Sequence, residues 1–332
     1  MNVDLAIIGQ GAVTPAGVGV EGLFGSEPKP QSAEPLGEPK KSWPVLRVDL
    51  KDPAFARWQK EPRLRRASPL TFFMVEAAEQ ALQGLSATDR AETGLIVALS
   101  AGCLVYSRRF YQGILKDGQR TASPALFPET VFNSPGSHVA SVLGLNGAVY
   151  ALCGDESAWI GALKTASVWL KRGRVRQVLV MGVEEFDPLV LDAYRSARWL
   201  RHPGFLTSEG AAALLVRAAR PEDSQVIATA HEGTPYRTRE EAAFAAGELV
   251  CGVDSSWPCH RTARGTWVEP LERDVTADRP EFSASLPHLG TAFTASAAWE
   301  TIRAARALKA PRGLLPLWGL NHRFGRLELQ RR

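Results

Sequence analysis

Short, uninterrupted apolar runs alternate along this chain with stretches of helical period. Residues 5–8, 94–99, 148–152, 178–181 and 210–216 each read as a strand covered on both faces, because no polar position recurs at a period of two. Between them, residues 69–82 place Phe72, Val75, Ala78 and Leu82 on one helical face, and residues 157–170 predict a second helix. A third is expected around 137–143, after a turn rich in proline at Pro124, Pro128 and Pro135. Gly9 and Gly11 are expected to turn the chain after its first strand, and residues 26–46 to form a long surface loop. Beyond residue 226 the alternation resumes. It predicts a strand at 226–230, a helix at 239–246, a short strand near Leu249 and a helix at 297–310. Residues 255–281, polar apart from Trp257 and Trp267, are expected to be irregular. Strands and helices in this order indicate an α/β protein with helices on both faces of its sheets.

Composition narrows the picture without naming a function. The 332 residues suffice for one large core or two fused half-domains, and 45% apolar with 22% charged residues is ordinary for a globular protein. A net charge of +4, spread along the chain, gives no argument for nucleic acid. Arginine clusters at 63–66 and 172–176 suit either an acidic partner or a solvated surface. The four cysteines show neither CxxC spacing nor a disulfide framework, which fits a reducing, cytoplasmic setting. Cys251, Cys259 and His260 match no common zinc spacing, so no metal and no cofactor are expected. No window approaches the ~18 uninterrupted apolar residues of a membrane span, and the first residues lack the basic start of a signal peptide.

The strongest chemical pointer lies at 147–158, Gly-Ala-Val-Tyr-Ala-Leu-Cys-Gly-Asp-Glu-Ser-Ala, which predicts strand, sharp turn and helix. Such an elbow presents a nucleophile where the helix N-terminus stabilises developing negative charge. Here the elbow position holds an acid, Glu156, and Asp155 beside it suits an N-cap. Cys153 is the nearest thiol, but at a strand end it reads better as a small buried hydrophobe than as a nucleophile. Its candidate bases are His288 and His260. His138, His202, His231 and His322 have no chemical partner in the sequence and read as structural or exposed.

Several segments carry a resemblance together. They are Leu-Ala-Ile-Ile-Gly-Gln-Gly-Ala-Val-Thr-Pro-Ala-Gly at 5–17, Leu-Arg-Arg-Ala-Ser at 64–68 and Thr-Gly-Leu-Ile-Val at 93–97. Ser123, Pro124, Pro128 and Asn133 precede the elbow, Gly-Phe-Leu-Thr-Ser-Glu-Gly-Ala-Ala stands at 204–212, and a further match spans 287–300. In order and spacing these resemble the β-ketoacyl synthases, condensing enzymes of the thiolase fold. The resemblance runs from residue 3 to about 217 and more weakly to the end. It implies an α/β, thiolase-like fold: two duplicated α/β halves in a layered αβαβα core, 1–217 carrying the elbow and 218–332 forming the second half.

Members of that family hold a Cys nucleophile at the elbow and two His that stabilise the enolate and drive malonyl decarboxylation. Counting forward from Gly147, and back from Gly173 and Gly182, puts the Cys position at Glu156. The second His position falls at Thr291, directly after Gly290, and the first at Val253 or Asp254. All three catalytic identities are then replaced. A carboxylate cannot form the thioester, and Val or Thr cannot replace an imidazole. Glu156 then reads as inert, as a carboxylate favoured by the helix dipole, or as an aid to decarboxylation without acylation.

The resemblance therefore implies a non-catalytic subunit similar to a chain length factor of type II polyketide, polyene or fatty-acid-like systems. Its partners would be an active β-ketoacyl synthase, as a heterodimer, and an acyl carrier protein bearing a phosphopantetheine-linked acyl chain. The run at 148–152 is expected at the dimer interface, and a homodimer would have no working site. Phe110, Tyr111, Phe127 and Phe132 fall in segments that would line the partner's acyl tunnel or pack the core. Arg172, Arg174 and Arg176 would meet the acidic carrier. Two other readings stand beside this one: a divergent acyltransferase or condensing enzyme using Cys153 with His288 or His260, and a stand-alone acyl-binding scaffold.

Overall fold

Strand β1 (Leu5–Thr14) runs through Gly9 and Gly11 instead of turning at them. The glycines are needed for proximity. A Cβ on Gly9 would stand 2.0 Å from the Ala81 carbonyl oxygen, and one on Gly11 would stand 2.0 Å from that of Ala77. Both oxygens belong to the helix Pro69–Ala81 lying across the strand, so what looks like turn chemistry is close helix–strand packing.

The computed structural model describes residues 3–25, 27–37, 41–263, 265–283 and 287–332. After β1 come β2 (Gly17–Val18), β3 (Gln31–Ala33) and β4 (Trp43–Val45). The last two pair antiparallel, so the expected loop at 26–46 holds a small ribbon; residues 26 and 38–40 of it lie outside the described residues. Helices α1 (Ala56–Gln59), α2 (Pro69–Ala81) and α3 (Ala87–Ala91) lead to β5 (Thr93–Leu99). Helices α4 (Leu104–Asp117) and α5 (Ser134–Leu143) precede β6 (Val149–Cys153), α6 (Ser157–Lys171) and β7 (Gln177–Glu184). Helix α7 (Pro188–Ser196) and β8 (Gly210–Ala218) follow.

The remainder of the chain repeats this plan. It contains β9 (Gln225–Pro235), α8 (Arg239–Val250), β10 (Cys259–His260), α9 (Glu269–Val275) and β11 (Glu281–Ser283). It ends with α10 (Phe293–Ala307), β12 (Arg312–Trp318) and β13 (Arg323–Arg331). The strand expected near Leu249 does not form. A capping box between Thr238 and Glu241 starts α8, and Leu249 stays in helical phase with buried Ala242, Ala245 and Ala246. Nor is 255–281 irregular: β10, α9 and β11 lie there, each too short to show a period.

Among the described residues, ten strands share one path in the order β11-β10-β12-β13-β9-β1-β8-β7-β5-β6, with β2 added beside β1. Starting from β1, the pairings to β8 and β7 are antiparallel and those to β5 and β6 parallel. Starting from β9, the pairings to β13 and β12 are antiparallel and those to β10 and β11 parallel. The two halves are thus copies of one plan, joined where Leu5 and Ala6 pair with Ile227 and Val226.

The layers follow from what the helices touch. Helices α2 and α5 cover the outer face of the first wing, and α8 lies on the second. Helices α6 and α10 contact both wings and each other, forming the middle layer of an αβαβα stack. Trp159 and Trp299 fill that layer and are almost fully buried. Each indole finds a partner, Trp159 Nε1 donating to Thr301 Oγ1 at 2.9 Å and Trp299 Nε1 to the Ala211 carbonyl at 3.1 Å.

Candidate functional site

The elbow forms where the sequence predicts it. β6 ends at Cys153, the chain bends through Gly154 and Asp155, and Glu156 is the N-cap of α6. Both acids are buried, with 7% of Asp155 and 8% of Glu156 exposed. Asp155 Oδ1 accepts the Ser157 amide at 3.0 Å and the Ser157 hydroxyl at 2.7 Å, so it holds the first turn from one residue before the N-cap and not from the N-cap position expected of it, which Glu156 occupies without a side-chain cap bond. Asp155 Oδ2 accepts the amides of Asn321 and His322, both at 3.1 Å, and Glu156 Oε2 accepts that of Leu320 at 3.3 Å. Burial first, then the neighbouring Asp155 charge, pushes the Glu156 carboxyl well above the usual carboxylate range.

The fold also buries a group of acids that the sequence pattern does not reveal, and Glu184 among them acts on Glu156. Glu184, at the end of β7, accepts the amides of Ser100 and of Ala101, the second at 3.1 Å, and so holds the loop after β5. Glu185 Oε1 accepts the Val105 amide at 3.1 Å in the first turn of α4. Burial raises each of these two carboxyls to about 8. Asp187 pairs with Arg108 Nε at 2.7 Å. Glu209 accepts Arg47 Nε at 2.7 Å and the Val48 and Phe186 amides at 3.1 and 2.8 Å. A run Glu-Glu-Phe-Asp at 184–187 could have been noticed in the sequence, but only the fold shows that all three acids point inward.

An aromatic cluster lies within the field of these acids. Tyr194, Trp199, Phe205 and Phe293 stack with ring centroids 5.4–6.3 Å apart. The Tyr194 hydroxyl is driven upward by burial and then by Glu184 and Glu156, and Phe293 adjoins Thr294, whose Oγ1 lies 3.4 Å from Glu184 Oε1. Phe293 starts α10 at φ 41°, a left-handed conformation rare for a large side chain. Three of the four rings come from residues 194–205 and one from the other half, so no local pattern announces the cluster.

The structure separates the remaining predicted site residues. Thr291 is half-buried, its amide donating to the Leu206 carbonyl and its carbonyl accepting the Ser208 amide at 3.0 Å. Val253 and Asp254 lie in a turn after α8, where Arg279 donates to both carbonyls; Asp254 is exposed. Among the described residues, no hydrogen bond joins either of them to the elbow. His260 is fully buried, with Nε2 2.8 Å from Glu300 Oε2 and Nδ1 3.0 Å from the Ser283 carbonyl. His288 is half-buried, and burial followed by the Arg303 charge lowers its imidazole. No hydrogen bond joins Cys153 to His288 or His260 among the described residues. Cys153 is exposed and not the small buried hydrophobe expected at a strand end, because β6 ends the strand path; partial burial and then Glu184 still raise its thiol, the opposite of what activates a nucleophile. Among the described residues, no three His, Cys, Asp or Glu side chains converge as metal ligands, and no helix is long and apolar enough to cross a membrane.

Two surfaces flank the elbow segment. β6 ends the strand path, with Tyr150 50% exposed and Val149 exposed beside it. α4 buries none of its residues, and Tyr111, Leu115, Phe127, Val131 and Phe132 are exposed on it or on the segment packed against it. Arg65, Arg66 and Arg109 line a cleft of about 400 Å³ together with Tyr106, Phe110 and Leu126. No hydrogen bond or ion pair engages these three guanidiniums among the described residues. Arg176, by contrast, pairs with Glu92 at 3.0 Å.

Comparison with known proteins agrees with this geometry. Residues 28–221 match the family model "Beta-ketoacyl synthase, N-terminal domain". The ishigamide ketosynthase/chain length factor superposes with a TM-score of 0.81 at 18% identity, over 99% of each chain. A β-ketoacyl synthase from Burkholderia phymatum STM815 gives 0.78 at 13% identity, over 100% of both chains. A type II polyketide synthase acyl-carrier protein in complex with its ketosynthase gives 0.74 at 14% identity, also over 100% of both. No curated protein matches the sequence. The matched region covers more than half of the chain and contains the elbow, its buried acids and both flanking surfaces: the chain belongs to the β-ketoacyl synthase family.

Proposed function

We propose that the chain is the non-catalytic subunit of a β-ketoacyl synthase pair, similar to a chain length factor, and that it acts in type II polyketide, polyene or fatty-acid-like biosynthesis. The observation that carries this reading is the elbow itself. Where the family holds a thiol, this chain holds a buried carboxyl already bonded to the Leu320 amide, and a carboxyl forms no thioester. The chain then serves through its surfaces. β6 and the apolar side of α4 pair with an active synthase, and Tyr111, Phe127 and Phe132 enter the shared acyl tunnel. The similarity to a ketosynthase/chain length factor supports this partner.

The carrier protein is better served by Arg65, Arg66 and Arg109 than by Arg172, Arg174 and Arg176. The first three converge on one cleft and have no counter-ion among the described residues, so an acidic surface or a phosphodiester meets uncompensated charge there. The similarity to a carrier-protein complex supports such a contact. The same reading divides the chain into halves 1–217 and 218–332, one for each wing of the sheet.

Intact-protein mass spectrometry after incubation with acyl and malonyl thioesters, alone and with a Cys-containing synthase from the same pathway, tests the proposal. Acylation of the partner only, with stable co-purification and unchanged pathway output from the Cys153→Ala variant, is the expected result. A stoichiometric adduct on Cys153 would make this chain an enzyme in its own right and end the proposal.

A further inference from the structure

Residues 127–133, a 3-10 turn (Phe127–Thr130) and the three residues that lead into α5, hold their apolar side chains outward. Phe127, Val131 and Phe132 are exposed, and the buried member of the segment is an acid, Glu129. That inverts the usual arrangement, in which apolar side chains anchor a loop and charged ones face water. Apart from the Phe127 ring, 5.7 Å from that of Phe110, the segment is held by polar contacts. Both Glu129 carboxyl oxygens lie 3.0 Å from His138 Nε2 on α5, and Oε2 also accepts the Ser134 hydroxyl at 3.3 Å. On the α4 side, the Thr130 carbonyl accepts the Ser107 hydroxyl and the Val131 carbonyl accepts the Cys103 thiol, each at 3.3 Å.

Phe132 has a seat of its own. Gly102 is buried at φ 62°, and a Cβ there would stand 2.4 Å from two atoms of the Phe132 ring. The ring thus lies back against bare backbone, where any other residue would push it outward. The polar contacts differ in weight. A thiol is a weak donor, and the Ser107 hydroxyl is shared with the Cys103 carbonyl, 2.8 Å away. A buried carboxyl deprived of its partner costs more than losing either, so the Glu129–His138 contact is the one that fixes the segment.

We propose that Glu129 is the positioning residue of this apolar rim: through His138 it fixes where the Phe132 ring stands, and so how much room the tunnel shared with a synthase leaves for the acyl chain. The proposal rests on the pairing with a synthase put forward above. Gly102 sets the lowest position the ring can take, and Glu129 keeps it there.

Cys103 lies under the segment, 1% exposed, and reports on it directly. Wild type, Glu129→Ala, His138→Ala and His138→Gln are treated with iodoacetamide, and alkylation is followed at each cysteine by peptide mass mapping. In both Ala variants Cys103 is expected to react about tenfold faster or more, and in His138→Gln, whose amide still donates to Glu129, within about threefold of wild type. Cys259, buried in the other half, is expected to keep its rate throughout. Equal acceleration of Cys103 and Cys259 reports general loosening and overturns the proposal, as does an unchanged Cys103 rate in the Ala variants. These two remove the same contact from opposite sides, so if one fails to fold the other still decides. With the synthase partner, Glu129→Ala should extend products to longer chains, and Gly102→Ala, which drives the ring outward, should shorten them. A shift of both in one direction, or of neither, overturns the claim on chain length. Alkylation needs no partner, so a chain that never pairs with a synthase would end the functional reading, and the chain-length claim with it, while the hold of Glu129 on the segment is still read.

Discussion

Replacing Glu185 with Gln should make the protein more stable in alkali than the wild type, and only there. The side chain is buried, with Oε1 accepting the Val105 amide at 3.1 Å and Oε2 buried without a partner. Burial above all, with the charges of Glu209 and Asp187, raises its carboxyl from 4.5 to about 8. The folded protein therefore keeps a proton that the unfolded chain has already lost. Stability falls as pH climbs from 4.5 to about 8 and levels off above that. At about 1.4 kcal/mol per pH unit the full loss approaches 5 kcal/mol, an upper value because local opening lets water reach the carboxylate. Gln copies the protonated acid, keeps an acceptor for the Val105 amide and cannot ionise. Urea denaturation at fixed ionic strength should find the variant within about 1 kcal/mol of wild type near pH 5.5 and at least ~2 kcal/mol more stable near pH 9. Glu184 is raised in the same way, with the Glu185 charge among the causes, so the variant also relieves Glu184, and that effect adds to the gain in alkali. A variant no more stable than wild type near pH 9, or a wild-type midpoint that does not fall between those pH values, refutes the reasoning.

The exposed cleft gives a second test: Arg65→Glu with Arg109→Glu should weaken binding of an acidic carrier protein by roughly tenfold or more at low salt and less at high salt. Stability should move by no more than about 0.5 kcal/mol per substitution, because neither guanidinium makes a hydrogen bond or ion pair among the described residues. Tyr150→Asp, on the free side of β6, should abolish co-purification with a synthase while leaving the circular dichroism spectrum unchanged; retained complex would place the interface elsewhere. Trp159→Ala removes a fully buried ring from the middle layer and orphans the Thr301 contact, and should cost about 3–5 kcal/mol in urea denaturation.

The strands of the first wing were legible because β5 and β7 are buried at every position, which leaves the same continuous apolar run in any context. The elbow was legible for a related reason: a strand and a fifteen-residue helix flank it, so the position of Glu156 could be counted from either side. What the sequence concealed depends on distance along the chain. Gly9 and Gly11 look like turn residues until α2 arrives some 70 residues later to lie against them. The amide that binds Glu156 is 164 residues away, and the ring of Phe293 must cross from the second half to meet Tyr194. β10 and β11, of two and three residues, are strands only because β12 is there to pair with β10.

The two ends of the strand path are not alike. One ends in β6, five residues long with two large apolar side chains turned outward; the other ends in β11, three residues long and led by an exposed glutamate. A sheet that could grow at both ends would be a fibre seed, whereas one with a single receptive border runs out of borders after its first union. If the chain joins a synthase through β6, as proposed above, the asymmetry between the duplicated halves leaves no second border of that kind, and assembly by this route would end at two.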